Sequence, residues 1–325
     1  MKKVATLLLC LTAIFVSCSK KNIQKTDNHS SRIIVGFSQI GAESAWRTCH
    51  TESVKAAAAA AGIQLVYENA EQKQENQIKA IRSFIAYQVD VIVFVPIVTD
   101  GWDSILHEAK DAEIPVLVID RKISIKDDSL YAGFIGTDSY TEGRKCAEFL
   151  QKKYKTAAVR SRPLTIFELT GTVDSSPAIW RSKGFRETLE HDPSFKIIGS
   201  GTGDFLRSLG KEVFATALDT YPEIDIVFSH NDGMTLGVLD ECAERNIDAS
   251  KKFCIVSVDG EQAAIDAIRD GKINCIAECN PFQGPEVMVL AKQLAEGHSI
   301  PKTTYVKETV FDETMDLSSL QNRGY

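Results

Sequence analysis

Short β-rich runs alternate with helical periodicity along most of the chain. Apolar runs fall at residues 33–37, 64–67, 89–95, 115–119 and 131–135, and helical segments fill the gaps. Residues 44–61 are Ala-rich and stop at Gly62, and residues 76–87 carry Ile78, Ile81 and Ile85 on one face. The second half repeats the pattern with runs at 164–169, 196–198, 224–228, 253–258 and 273–277. Near-continuous apolar strands separated by helices predict parallel sheets covered on both faces, because such strands have no solvated side. Two similar doubly wound α/β lobes are the economical reading of 325 residues.

Polar residues collect where these runs end. Ser38-Gln39 follow the first run and Asp120-Arg121 the fourth, with Asn231-Asp232 and Asp259-Gly260 in the second half. In open α/β sheets ligands bind beyond the carboxyl ends of the strands, so recurrence in both halves points to one cleft between two lobes. Asp, Asn and Arg present planar forks that suit adjacent sugar hydroxyls, and aromatic rings suit the apolar face of the same sugar. Trp46 and Phe205 each stand at the head of a helix and are candidate walls, with helix packing as the alternative role.

The first residues read as an address. Lys2 and Lys3 precede an apolar run over residues 4–16, too short to span a bilayer, and Ser17-Cys18 close it. A small residue before cysteine resembles a lipoprotein cleavage site, which implies a signal peptide over 1–17, a lipid on Cys18 and a flexible tether over 18–31. An exported chain is open to disulfides, but Cys49, Cys146, Cys242, Cys254, Cys275 and Cys279 show no zinc spacing, and free buried thiols are the simpler expectation. The balance of 37 basic against 44 acidic residues, with no long basic block, argues against nucleic acid as partner. No metalloprotease, nucleophile-elbow, Walker or dinucleotide motif is present, so neither an enzyme nor a cofactor or metal is expected.

Several motifs together resemble the periplasmic sugar-binding proteins of the ribose/galactose class, and within it the galactofuranose-binding branch of ABC importers. They are Gly36-Phe37-Ser38-Gln39, the stretch from Gln72 to Ala80, Ile114-Pro115-Val116 with Asp120-Arg121, Gly203-Asp204-Phe205, His230-Asn231-Asp232 and Val258-Asp259-Gly260. The resemblance implies two Rossmann-like lobes joined by a three-segment hinge, with lobe boundaries at 32–137 plus 280–305 and 138–279 plus 306–325. It implies a monosaccharide ligand, an ABC permease as partner, a periplasm-facing, lipid-anchored monomer, and a membrane sensor or chemoreceptor as the alternative partner. Ligand contacts are implied at Glu43, Trp46, Arg47, Asp120, Arg121, Phe205, Asn231, Asp259 and Glu278. The chain departs from the class at residues 175–181, where ribose binders place an arginine at Ile179 and Trp180 replaces an acid. Trp180 either adds a stacking face, removes a hydroxyl partner or packs outside the cleft.

Overall fold

The computed structural model describes residues 32–155 and 161–325. The expected signal peptide, tether and lipid site at Cys18 fall outside the described residues. The chain from Arg32 forms β1 (Ile34–Gln39), α1 (Ala45–Ala60), β2 (Gln64–Asn69), α2 (Gln74–Tyr87), β3 (Val91–Phe94), α3 (Asp103–Asp111), β4 (Val116–Asp120) and β5 (Gly133–Gly136). It continues with α4 (Ser139–Tyr154), β6 (Leu164–Thr170), α5 (Ser176–Leu189), β7 (Phe195–Thr202), α6 (Arg207–Thr220), β8 (Ile226–Ser229), α7 (Asp232–Glu244), α8 (Ala249–Lys252), β9 (Cys254–Asp259), α9 (Gln262–Arg269) and β10 (Cys275–Glu278). It closes with α10 (Gly284–Ala295), β11 (Thr303–Tyr305) and β12 (Val310–Asp312).

These strands make two six-stranded sheets, one per lobe, in the orders β11-β5-β4-β3-β1-β2 and β12-β10-β9-β8-β6-β7. Pairings are parallel except that of β12 with β10. The chain passes between the lobes after β5, after β10 and after β11, so three segments join them. In the second lobe, alternate residues of each strand feed two apolar clusters, as Val227 and Ile255 enter one while Phe228 and Val256 enter the other. The first lobe gathers Phe37, Ile81, Phe94 and Trp102 with Val287 and Met288 of α10, which returns to it from the second crossing.

Strand β1 runs two residues past the apolar pattern because Ser38 and Gln39 are themselves fully buried. Gln39 satisfies its amide inside by donating to Thr51 and meeting a ring nitrogen of His50. Strands β11 and β12 carry no signal of their own, being three residues each at sheet edges and mostly half-exposed. The six cysteines of the described residues are free thiols, and all but Cys49 are buried.

Candidate functional site

Both sheets turn their carboxyl ends toward one cavity between the lobes. The first lobe contributes Glu43 and Ser44 ahead of α1, Trp46 and Arg47 in its first turn, and Asp120-Arg121 at the end of β4. The second contributes Pro177 and Arg181 from α5, Phe205 ahead of α6, Asn231 at the cap of α7, and Asp259 at the end of β9, with Cys279 on the second crossing.

Backbone geometry at several of these positions is unusual. Asp120 and Phe205 are left-handed at φ 62°, and Asp259 sits at φ 124°. Such angles are costly for residues with a Cβ and collect where a site needs a side chain aimed off the strand direction. The ring of Phe205 lies so close over Gly171 that a Cβ there would stand 1.9 Å from its Cζ. Asn231 does double work: its Oδ1 caps α7 by accepting from Met234 N at 3.0 Å, and its Nδ2 donates to the carbonyl of Phe205 at 3.3 Å.

Charges are arranged in pairs. Arg47 donates from Nε to Glu43 Oε1 at 2.9 Å and from Nη1 to Asp120 Oδ2 at 2.7 Å. Burial opposes ionisation of both acids, but Arg47 and Arg121 outweigh it and hold the two carboxyls below their ordinary range. Arg121 donates from Nη1 to the carbonyl of Ile97 and lies with its guanidinium 5.2 Å from the centre of the Phe205 ring. Burial and the neighbouring Arg47 bring it down to about 10. On the other side, Arg181 donates from Nε to Glu142 Oε2 and from Nη1 to the carbonyl of His230, both at 2.6 Å, and stands 3.9 Å from Asp259. Asp259 is pushed well above the carboxylate range by burial and then by Asp232 and Glu261, with Arg181 opposing. Glu43 Oε2 and Arg121 Nε are buried and have no hydrogen-bond partner within the protein, which leaves one acceptor and one donor for a guest.

Trp46 belongs to α1 of the first lobe yet packs into the second lobe's apolar cluster, whose members include Cys146, Phe149 and Cys279. Its indole donates to the carbonyl of Cys279 at 2.6 Å, and its ring stacks on His50. Trp46 therefore lines the cavity and packs in the core at once.

Eight of the nine residues expected from sequence line this cavity, and Glu278 does not. Its carboxylate accepts from Arg323 at 2.5 Å and from Thr309 N at 2.9 Å. The C-terminal residues fold back over α9, with Gln262 N donating to the carbonyl of Tyr325, and bring Arg323 there from 45 positions along the chain. Arg181, Ser44, Pro177 and Cys279 line the cavity without having been expected there. Arg181 lies inside a helix rather than after a strand, and reaches in because α4 and α5 cross closely. A Cβ at Gly143 would meet the carbonyl of Arg181 at 2.0 Å, and one at Gly184 that of Tyr140 at 2.0 Å. Two glycines within helical segments were the signal available. Trp180 is 38% exposed, carries Lys183 over its ring and lines an adjoining depression with Lys122, Phe134 and Tyr305, which shares Asp120 with the cavity; Ile179 is 42% exposed. Trp180 is thus not in the wall of the cavity but stands beside it.

Residues 35–299 match the family model described as periplasmic binding protein domain. The galactofuranose-binding protein YtfQ of Escherichia coli K12 is 40% identical over 300 residues, 90% of this chain and 93% of that one. Among solved structures, a Mycobacterium smegmatis protein in complex with β-D-fucofuranose superposes with a TM-score of 0.86 at 43% identity, covering 90% of this chain and 95% of that one. The periplasmic binding component of the arabinose ABC transporter from Shewanella sp. ANA-3, bound to α- and β-L-arabinofuranose, superposes at 0.82 with 40% identity, over 86% and 92%. At the level of the family these are solute-binding transport proteins and not enzymes. A match that spans both lobes and the cleft between them makes this chain a member of the periplasmic binding protein domain family.

Proposed function

We propose that the protein captures one uncharged furanose sugar between its lobes, in the periplasm, and presents it to the permease of an ABC importer. The observation that carries this reading is the charge balance of the cavity. Arg47, Arg121 and Arg181 are matched by Glu43 and Asp120 in the wall and by Glu142 behind it, and burial raises Asp259 well above the ordinary carboxylate range, which favours its neutral form. A site so balanced has no charge to offer an acid or an amine, and its value to a ligand lies in forked donors and acceptors beside the rings of Trp46 and Phe205. The relatives named above carry galactofuranose, fucofuranose and arabinofuranose in their descriptions, which supports a five-membered ring. Glu43, Asp120, Arg121, Asn231, Asp259 and Arg181 are the hydroxyl partners in this reading, with Arg47 holding Glu43 and Asp120 in place.

The finer assignment follows from the leader: lipid on Cys18 holds the protein at a membrane surface, residues 18–31 give it reach, and it works as a monomer. A thermal-shift screen of residues 32–325 tests the cargo. Saturable stabilisation by a neutral pentofuranose or hexofuranose, with no effect of uronic acids, amino sugars or sugar phosphates, agrees with the reading. Stabilisation by a charged sugar and by no neutral one would overturn it.

A further inference from the structure

The three segments that join the lobes meet behind Arg181. Thr137 stands on the first, Cys279 on the second and Glu308 on the third, and the Thr137 hydroxyl lies 3.5 Å from Cys279 Sγ. Glu142, in the first turn of α4, completes the group. One oxygen of Glu142, one of Glu308 and the sulfur of Cys279 all lie within 4.8 Å of one another. Glu142 is fully buried and faces this group; Arg181 holds its Oε2, and its Oε1 has no hydrogen-bond partner. Glu308 receives a long bond of 3.4 Å from Asn280 N and is partly open to solvent, which gives a small solute a way in.

Negative groups outnumber positive ones here. Glu142, Glu308, Cys279 and Asp259 act on one another, and the cations among them are Arg181 and Lys145. Fully ionised, the group is short of two positive charges. A divalent cation fills that deficit. A thiolate beside two carboxylates is a donor set for a borderline ion of the zinc kind, whereas calcium and magnesium take oxygen alone.

We propose that Glu142, Cys279 and Glu308 form a binding site for one zinc-class divalent cation at the junction of the three interlobe segments. With these three ligands the ion keeps a fourth position for water. It joins α4 to the second and third segments and so stiffens the pivot of the two lobes. The Glu142–Arg181 pair connects this junction to the cleft, so cation and sugar raise each other's affinity by the same factor. This last step rests on the sugar reading above; the cation site itself does not.

The spacing of residues 142, 279 and 308 matches no zinc motif, which is why sequence alone pointed to no metal. The test uses tag-free, metal-stripped residues 32–325 titrated with zinc by calorimetry and with cadmium by ultraviolet absorption, where a cadmium-thiolate bond has its own band. One equivalent should bind, with the band present. Glu308→Gln, which mimics the protonated acid and so preserves the fold, should weaken binding about tenfold or more, and Cys279→Ser should abolish the band. Binding that persists in a protein taking no sugar supports the site and removes only the furanose reading. No stoichiometric binding, or binding equally strong in Glu308→Gln, overturns the proposal.

Discussion

The indole nitrogen of Trp46 donates to the main-chain carbonyl of Cys279 at 2.6 Å, so the first helix of one lobe is bonded to the segment that leaves the other. The donor is 3% exposed. Trp46→Phe keeps a ring in the wall but leaves that carbonyl buried without its partner, at about 1–3 kcal/mol. Because this bond joins the lobes, the loss falls on the arrangement in which both lobes line the cavity. Sugar affinity measured by calorimetry should drop about tenfold while the unfolding midpoint without ligand moves little. Unchanged affinity would remove the indole bond from the account of closure.

Arg181 has two duties, filling the cleft wall and neutralising Glu142. Arg181→Met should destabilise the protein by about 3–5 kcal/mol in urea denaturation, since Glu142 is then a buried charge without its pair. Gly184→Ala acts on the same side chain indirectly, forcing apart two helices that now touch. It should cost about 1–3 kcal/mol and weaken sugar binding as well, because Arg181 is displaced. Wild-type affinity in Gly184→Ala would show that the helix crossing does not position Arg181.

Trp180→Ala should leave sugar affinity within about twofold, since the indole lies outside the cavity over Lys183 and a surface truncation of this kind has small effects. A larger loss would place the ring in the ligand's path.

Asp232 makes stability pH-dependent. Its carboxylate accepts from Ser257 Oγ and from the main-chain nitrogens of Gly260 and Glu261, yet burial and the neighbouring Glu261 push it up to about 7. Between its unfolded value near 3.8 and that folded value, the native state holds a proton the unfolded chain has lost. Stability therefore falls as pH rises through this window. Asp232→Asn removes the titration. Its stability relative to wild type should climb by up to about 1.4 kcal/mol per pH unit between pH 4 and 7 and then level off. A difference that is flat with pH, or that falls, would contradict the assignment. Taking the difference cancels the opposite slope from His50, which burial brings down to about 4.

Periodicity carried most of the fold because the central strands of both sheets are parallel and buried, and such strands announce themselves as apolar runs. It carried nothing for β11 and β12, whose three residues are stabilised by the neighbouring strand and not by their own pattern. The site was legible where the chemistry follows a strand end, as at Asp120-Arg121, Asn231 and Asp259. It was illegible where packing decides. Arg181 owes its place to two glycines on crossing helices, and Glu278 sits beside Asp259 in register but is claimed by Arg323 of the C-terminal segment. Neither relationship is local in sequence.

The central claim is that the interlobe cavity binds one neutral furanose through its forked polar groups. The most direct test is a calorimetric titration of wild-type protein and Asp259→Ala with galactofuranose and arabinofuranose. The account predicts one site per chain in the wild type and binding at least about tenfold weaker in the variant, which loses a buried hydroxyl partner. Equal affinity in the two proteins, or no binding of either sugar to the wild type, would contradict it.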